Sequence, residues 1–278
     1  MLIEKKSCGT ICKINTFENI LNIETVNKID KKLLEFENKY SRFFLNNYLN
    51  KLNKSWKSEI DEEFKTIFAV CKKLNKITNW YFDITVLPFL ENFWYGIEKD
   101  KLEQNFWMEN IEIIENNIIL HNQIKIDLWS IWKWYIVDYI YHILKNQISD
   151  FTIDFWWDIK VWKQKEIVWL EDPFDDKKII WEIIISNESI CSSNWQKRNF
   201  WDKHHLINPI TKTSQNDKIA VYVKHKSATL ADWYSTALFV SPINLALEIL
   251  EKTKWLEAMI ISDKWEIYKS AWFDAKLY

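Results

Sequence analysis

Residues 126–138 have the sequence Ile126-Asp-Leu-Trp-Ser-Ile-Trp-Lys-Trp-Tyr-Ile-Val-Asp138, in which a strand-like run passes through a Trp/Ser cluster into an apolar segment. The spacing predicts a helix over about residues 131–147. Trp129, Trp132 and Trp134 lie where this helix opens. Glycine is expected where a backbone must turn with positive φ or approach a ligand closely, so these tryptophans need an explanation.

The composition of the whole chain explains these tryptophans. Its 278 residues include 18 Trp and only 2 Gly, whereas average usage of about 7% predicts roughly 19 glycines. The basic residues are nearly all lysine, and Ile and Asn abound, which indicates coding DNA poor in G and C. We hypothesise that the codon UGA means glycine in the source and that most of these tryptophans stand for glycine. The alternative, a genuinely Trp-rich protein such as a carbohydrate binder, leaves the glycine deficit unexplained.

Charge and hydropathy limit the class of protein. A net charge of −2, with 27% charged and 48% hydrophobic residues, excludes a disordered chain and gives no support for a nucleic-acid-binding surface. No apolar run near residue 1 has the length of a signal peptide, and no segment predicts a transmembrane helix, so a cytoplasmic protein is expected. The four cysteines form no CxxC pair and indicate neither a disulfide framework nor a zinc site.

The periodicity along the chain predicts a single α+β domain over residues 1–278, with mixed β-sheets flanked by helices. A strand and turn are expected in 1–20, and a loop around Pro88 in 82–96. Further helices are expected at 21–55, 57–76 and 230–251. Short strands are expected within 110–128, at 151–155, 159–161, 165–169, 180–186 and 217–224, and as a pair within 257–270.

Two segments contain glycine-rich turns when glycine replaces tryptophan, and the first has the form of a phosphate site. Residues 126–138 become IDLGSIGKGYIVD, which would present backbone N–H groups and a positive helix end to a phosphate, with Lys133 adding a mobile charge. Residues 151–158 become FTIDFGGD, a strand ending in a double-glycine turn. Taken alone, the second segment is better explained as a plain tight turn between strands.

Two other segments carry side chains suited to chemistry. His204 and His205 are adjacent, so in a strand they point to opposite faces, and we expect one to face solvent and the other a pocket. Asp232 and Thr236 are four residues apart and share one face of a predicted helix. A carboxylate beside a hydroxyl suits Mg²⁺, which prefers oxygen ligands. An N-terminal helix cap is the commoner use of such residues and remains an alternative.

In this order the segments resemble the FAD:protein FMN transferase (ApbE) family over nearly the whole chain. Six tryptophans fall where that family has glycine, namely Trp94, Trp129, Trp134, Trp156, Trp157 and Trp272. The matching stretches are Cys8-Gly9-Thr10, Ser41-Arg42-Phe43 with Leu49–Asn53, Phe82–Pro88, Ile126–Asp138, Phe151–Ile159, His204–Pro209 and Ala231–Val240. The chain departs from the family pattern at Cys8, Asn208 and Thr211-Lys212, and it lacks the export signal or lipid-attachment cysteine that family members often carry.

The resemblance implies an Mg²⁺-dependent enzyme that transfers FMN from FAD to a Thr or Ser hydroxyl of an acceptor flavoprotein, an electron-transfer subunit, and releases AMP. Asp232 and Thr236 would bind Mg²⁺ together with the backbone carbonyl of Ser130. His205 would act as the catalytic base, and Asp232, as a metal ligand, would be the second catalytic residue. The residues expected to bind FAD are Cys8, Phe43, Tyr81, Phe82, Asp83, Asp127, Lys133 and Ile207.

Two other functions remain open. A hydrolase could split FAD into FMN and AMP at the same metal site, with water as the nucleophile. A non-catalytic flavin-binding protein would keep the pocket without depending on metal, although the Asp232/Thr236 pair argues against it.

Overall fold

The computed structural model describes most of the chain, in the ranges 1–7, 10–17, 20–93, 106–156, 158–172, 175–195, 199–200 and 203–277. Side chains at 129–130, 132–134, 175–177 and 199–200 lie outside this description. The helices are α1 (Ile23–Tyr40), α2 (Tyr48–Ser55), α3 (Glu62–Ile77), α4 (Leu87–Asn92), α5 (Trp129–Leu144), α6 (Ala228–Val240) and α7 (Ile243–Lys252), with short 3-10 turns at Met108–Asn110 and His121–Gln123. Among these residues no helix is both long enough and apolar enough to cross a bilayer.

The strands of the described residues pair in antiparallel fashion. They are β1 (Leu2–Ser7), β2 (Thr10–Thr16), β3 (Lys57–Glu59), β4 (Ile111–Ile114), β5 (Asn117–Leu120), β6 (Phe151–Phe155), β7 (Ile159–Trp162), β8 (Glu166–Asp172), β9 (Asp175–Ile185), β10 (Ser189–Asn194), β11 (Asn199–Phe200), β12 (Lys203–His204), β13 (Ile207–Asn208), β14 (Thr213–Ser214), β15 (Lys218–His225), β16 (Glu257–Ser262), β17 (Ile267–Lys269) and β18 (Ala275–Leu277).

An eight-stranded sheet of order β1-β2-β6-β7-β10-β15-β16-β17 forms the frame. Two three-stranded sheets, β18-β9-β8 and β3-β5-β4, and two strand pairs, β11-β12 and β13-β14, complete the strand topology. Inward-facing residues of β2, β6 and β15 share one hydrophobic core with α1, α3, α5 and α6. The predicted α+β class, with sheets flanked by helices, is therefore confirmed.

Helix α6 lies in the interior, against α5, β10 and β15. Ser227 caps its start by accepting the N–H of Leu230 at 3.2 Å, and every residue of the helix except Leu230 is buried. A helix that is buried on all sides is mostly apolar, and its few polar side chains need partners or a ligand. Asp232, Ser235 and Thr236 are such side chains, and they are the natural place to look for a site.

The boundaries correct three predictions. The helical stretch expected at 21–55 is two helices, α1 and α2, separated by the turns at 41–47. The helix expected at 230–251 is two helices, because Pro242 has no N–H to continue α6 and instead caps α7. The stretch expected to be a loop around Pro88 contains α4, with Pro88 in the first turn, where its missing N–H costs nothing. The strand predicted at 151–155 is confirmed as β6.

Candidate active site

A pocket opens beside the second half of α6, between the segment that precedes α4 and the chain around β13. Its wall combines aromatic, acidic, basic and hydroxyl groups from parts of the chain that are far apart in sequence. The lining residues are Arg42, Tyr81, Phe82, Asp83, Ile84, Val86, Leu90, Asp127, His205, Leu206, Ile207, Thr236 and Val240.

Asp127 forms a buried ion pair in this wall. Arg42 Nη1 donates to Asp127 Oδ2 at 2.5 Å, and the two side chains are only 3% and 9% exposed. The backbone N–H of Asp127 also donates to the carbonyl of Ile84 at 2.7 Å, which holds the carboxylate against the neighbouring wall segment. A buried carboxylate needs such a partner. Asp127 was expected here from its motif, whereas Arg42 was quoted in a motif without being assigned to the site.

Asp83 organises the neighbouring wall segment. Its Oδ1 accepts hydrogen bonds from the backbone N–H of Thr85 at 2.8 Å and from the Thr85 hydroxyl at 2.7 Å, and its Oδ2 accepts from the N–H of Met108 at 3.0 Å. Burial raises the pKa of this carboxyl to about 6, against the opposing effect of these hydrogen bonds. Asp83 therefore lines the pocket as predicted, and its side chain also ties residues 106–108 to it.

The adjacent histidines have different environments. His205 is half-buried and lines the pocket, in agreement with the predicted orientation. His204 is 2% exposed and does not face solvent, so that expectation was wrong. Its Nδ1 accepts the N–H of Leu206 at 3.2 Å, and its Nε2 lies 3.0 Å from Asn216 Oδ1. Because the chain around Asn216 covers the outer face of this strand, His204 is enclosed, and burial lowers its pKa to about 4.

The Asp232/Thr236 pair lies on α6, as predicted. Asp232 is 5% exposed and Thr236 is 8% exposed, and Thr236 reaches the pocket wall. Across the helix pair, Trp233 Nε1 donates to the carbonyl of Ile131 at 3.2 Å, so the first turn of α5 packs against this part of α6. Ser130 belongs to that first turn. No group of three or more His, Cys, Asp or Glu side chains suited to a metal is present in the described ranges.

A single carboxylate joins α5 to the start of α6. Asp138 on α5 accepts hydrogen bonds from the Ser227 hydroxyl at 2.6 Å, the Thr229 hydroxyl at 2.6 Å, and the backbone N–H groups of Ala228 and Thr229 at 3.0 Å. A carboxylate is favourable at the positive end of a helix dipole. Asp138 therefore fixes the beginning of the helix that carries Asp232 and Thr236.

The remaining predicted residues divide into three groups. Tyr81, Phe82 and Ile207 line the pocket as expected. Phe43 is 42% exposed and lies outside the pocket wall, with the Arg42 guanidinium 5.0 Å from its ring centroid. Cys8 lies outside the described residues, as do the side chains of Ser130 and Lys133, whose backbone is part of α5.

The pocket has aromatic rings in one part of its wall and buried acidic and hydroxyl groups in another. A pocket lined in this way is typical of a protein that binds a small molecule. The ApbE family model matches residues 8–260, and the chain belongs to the ApbE family. The resemblance drawn from the motifs is thereby confirmed.

Individual relatives agree with this assignment. The FAD:protein FMN transferase of Buchnera aphidicola subsp. Schizaphis graminum is 28% identical over 294 residues, which cover 94% of this chain and 86% of that protein. The ApbE protein of Thermotoga maritima has the same fold, with a TM-score of 0.85 at 20% identity, over 98% of this chain and 97% of that one. The flavin transferase ApbE of Vibrio cholerae gives a TM-score of 0.82 at 19% identity, over 98% and 97% of the two chains.

Proposed function

We propose that this protein is a transferase that moves FMN from FAD to the hydroxyl of a Thr or Ser residue in an acceptor protein, with release of AMP. The observation that carries the proposal is the convergence of Asp127, His205 and Thr236 in one pocket, with Asp232 one turn away on the same helix. The Buchnera relative named FAD:protein FMN transferase and the ApbE family membership support the same reaction.

The donor set of α6 fits a magnesium ion. Asp232 offers a carboxylate and Thr236 a hydroxyl, both on buried side chains, and hard cations prefer oxygen donors of this kind. The backbone carbonyl of Ser130 would complete the protein's share. When bound, the ion supplies positive charge to the pyrophosphate of FAD, which lowers the barrier to phosphoryl transfer.

The pocket wall suits the other parts of FAD. Tyr81 and Phe82 present aromatic rings for the flavin, while Asp127 and Lys133 would hold the ribityl and adenylate portions. Ile207 and His205 come from the same short segment and would lie near the reacting phosphates. Arg42 lines the same pocket, and its Nη1 pairs with Asp127.

His205 is the base in the proposed reaction. Its ring takes the proton from the acceptor hydroxyl while that oxygen attacks the phosphorus of the FMN moiety. The bond from this phosphorus to the bridging oxygen breaks, and AMP leaves with that oxygen. An imidazole titrates near neutrality and can accept a proton at physiological pH.

The test is a transfer assay with the glycine-restored chain, FAD, Mg²⁺ and a supplied electron-transfer subunit as the candidate acceptor. The expected result is covalent flavin fluorescence on the denatured acceptor and stoichiometric AMP release, both lost with EDTA. Free FMN and AMP at the same rate with and without acceptor would instead identify an FAD pyrophosphatase. FAD binding that is indifferent to Mg²⁺, without either product, would identify a non-catalytic flavin-binding protein.

A further inference from the structure

Three buried hydroxyl groups connect β10 to α6 beside the proposed metal ligands. Ser193 Oγ, on β10, lies 2.9 Å from Ser235 Oγ and 3.4 Å from Thr236 Oγ1. Ser235 Oγ donates in turn to the backbone carbonyl of Asp232 at 2.8 Å. The exposed fractions are 6%, 0% and 8% for Ser193, Ser235 and Thr236, so these hydroxyls are mostly enclosed by protein.

The protons in this cluster can be assigned by counting. Each hydroxyl has one O–H and two acceptor lone pairs. Because the Ser235 proton goes to the Asp232 carbonyl, Ser193 must be the donor in its contact with Ser235. The Ser193 proton is then in use, so Thr236 is the donor in its contact with Ser193. The chain of donors therefore runs from Thr236 to Ser193, to Ser235, and ends on the Asp232 carbonyl.

This direction matters for the chemistry of Thr236. A hydroxyl that binds a cation does so through an oxygen lone pair, so its proton has to point elsewhere. Thr236 lines the pocket, while Ser193 lies behind it on β10. The donor chain turns the Thr236 proton toward β10 and leaves the lone pairs of Oγ1 for a ligand on the pocket side.

We propose that Ser193 is a positioning residue that orients the Thr236 hydroxyl as an oxygen donor for the divalent cation. The inference rests on the proposed function, because it takes Thr236 as a ligand. Ser193 itself touches neither substrate nor metal. Its effect is to preorganise one donor, so that binding the cation need not first reorient a buried hydroxyl.

The test measures cation binding rather than turnover. Mg²⁺ affinity is determined by calorimetry on the FAD-free full chain, and Mn²⁺ affinity by electron paramagnetic resonance. Ser193→Ala is expected to weaken both by roughly 3- to 10-fold, the value of one neutral hydrogen bond. Ser235→Ala breaks the chain one link further on and is expected to weaken binding in the same direction. The matched control is Ser192→Ala, the next residue of β10, which takes no part in the donor chain and is expected to leave cation affinity unchanged.

A double-mutant cycle separates orientation from a general effect on folding. In a Thr236→Val background there is no hydroxyl to orient, so Ser193→Ala is expected to cause no further loss of Mg²⁺ affinity. In a Thr236→Ser background the loss is expected to persist. If Ser193→Ala behaves like Ser192→Ala, or weakens binding equally in the Thr236→Val background, the positioning role is wrong while the metal site stands. If Thr236→Val leaves Mg²⁺ affinity intact, the proposed metal site and this inference fall together.

A second inference comes from a different observation, the backbone dihedral angles. In the described part of the chain, twelve non-glycine residues have positive φ, and five of them are tryptophan. Tryptophan makes up only 18 of the 278 residues. Left-handed backbone is ordinarily occupied by Gly, Asn or Asp, and it is unfavourable for a bulky residue. The five residues are Trp56, Trp80, Trp107, Trp156 and Trp265.

Two of these positions show most clearly what the backbone requires. Trp56 ends α2 with φ 56° and ψ 11°, and its N–H donates to the carbonyl of Leu52 at 2.7 Å, the left-handed cap that glycine normally provides. Trp107 has φ 117° and ψ 131°, outside the regions allowed to residues with a β-carbon. The Thr85 hydroxyl accepts its N–H at 2.8 Å and holds the backbone there.

We infer that these five tryptophans stand at glycine positions, and that glycine occupies them when the source translates its own gene. The coding DNA gives the direct test: UGA is expected at all five codons, and UGG at these codons would overturn the inference.

Thermal stability gives an independent test. Trp56→Gly, Trp80→Gly and Trp265→Gly remove side chains that are 38%, 60% and 47% exposed, so each variant also loses the contacts of the buried part. The matched controls Trp169→Gly and Trp255→Gly lose a similar share of burial, since these side chains are 51% and 49% exposed, and they lack positive φ. Relative to the controls, Tm of the first set is expected to be higher by roughly 2–4 °C, because only there does the penalty of a β-carbon in left-handed backbone disappear. Equal Tm values in the two sets would contradict the assignment.

Discussion

Arg42 and Asp127 lie 85 residues apart in sequence, yet the guanidinium donates to the carboxylate at 2.5 Å inside the pocket wall. This pair joins the turn after α1 to the segment that leads into α5. Both charges are almost fully enclosed, so each depends on the other for compensation. The pair therefore links the integrity of the fold to the shape of the pocket.

Removing the Arg42 charge is expected to destabilise the protein. Arg42→Met leaves Asp127 buried without its ion-pair partner, and the expected loss is about 3 kcal/mol of unfolding free energy. Urea denaturation measures it, and Lys31→Met is the control because the Lys31 pair with Glu35 is largely exposed. If both variants unfold at the same urea concentration, Asp127 finds compensation elsewhere and the interpretation of the pair is wrong.

The metal prediction concerns Asp232. In the glycine-restored protein, Asp232→Ala removes the only carboxylate of the proposed donor set and is expected to abolish Mg²⁺-dependent AMP release in the presence of acceptor. Circular dichroism should show an unchanged fold. Asp263→Ala, at an exposed turn, is the matched control and should keep full activity. Near-normal Mg²⁺-dependent transfer by Asp232→Ala would exclude this residue from the metal site.

The base prediction compares the two histidines. His205→Ala is expected to slow transfer by about 10²-fold or more, the usual contribution of a general base, while FAD still binds. His204→Ala is expected to do much less to the rate of the folded enzyme and to lower its stability instead, because His204 is enclosed. The measurement is kcat together with Tm for both variants. Equal effects on kcat would mean that the two rings are not divided between pocket and interior.

The sequence predicted features that depend on neighbouring residues, and it missed features that depend on residues far apart in the chain. The Phe151–Phe155 strand was predictable because alternating residues face the core. β10 was missed because Ser189-Ile-Cys-Ser-Ser-Asn194 has no such alternation, and its place in the sheet comes from pairing with β7 and β15. Motif resemblance found Asp127 but assigned no role to Arg42, since no local pattern links residues so far apart.

The enclosure of His204 was unpredictable for a related reason. Adjacent histidines in a strand point to opposite faces, but β12 ends at His204 and the two ring centroids lie only 6.5 Å apart. Whether the second face meets solvent depends on the chain around Gln215 and Asn216, which folds over it. Tertiary contacts of this kind leave no periodic signal in the sequence around residue 204.

The low pKa of His204 predicts a pH dependence of stability. Burial lowers the pKa from 6.5 to about 4, so the folded state disfavours the charged ring. The stabilisation is complete above pH 6.5 and is lost as the pH falls toward 4, by about 3 kcal/mol in total. Asp83, whose pKa is raised to about 6, acts in the opposite direction, because its contribution is lost as the pH rises through that value.

A variant isolates the histidine contribution. The difference in unfolding free energy between the native chain and His204→Asn is expected to shrink steadily from pH 7 to pH 4, because Asn does not titrate and Asp83 is common to both proteins. Urea denaturation at several pH values measures this difference. A difference that stays constant over this range would show that His204 is charged in the folded state or exposed to solvent.

Asp138 gives the last prediction, because it anchors the helix that carries the proposed ligands. Its two oxygens accept four hydrogen bonds from Ser227, Ala228 and Thr229. Asp138→Asn replaces one acceptor oxygen with an amide that points hydrogens at these donors, at an expected cost of about 1–3 kcal/mol in unfolding free energy. Since the start of α6 is then less firmly held, Mg²⁺ affinity is expected to fall as well.

The control for Asp138 is another helix-capping aspartate. Asp61 accepts the N–H of Phe64 at 2.9 Å at the start of α3, and asparagine caps a helix about as well as aspartate, so Asp61→Asn is expected to leave Mg²⁺ affinity unchanged. Urea denaturation and Mg²⁺ calorimetry on both variants separate two roles. If Asp138→Asn lowers stability while Mg²⁺ affinity equals that of the native chain, the carboxylate caps α6 without positioning Asp232 and Thr236. A fall in both quantities for Asp138→Asn alone shows that the junction of α5 and α6 sets the geometry of the site.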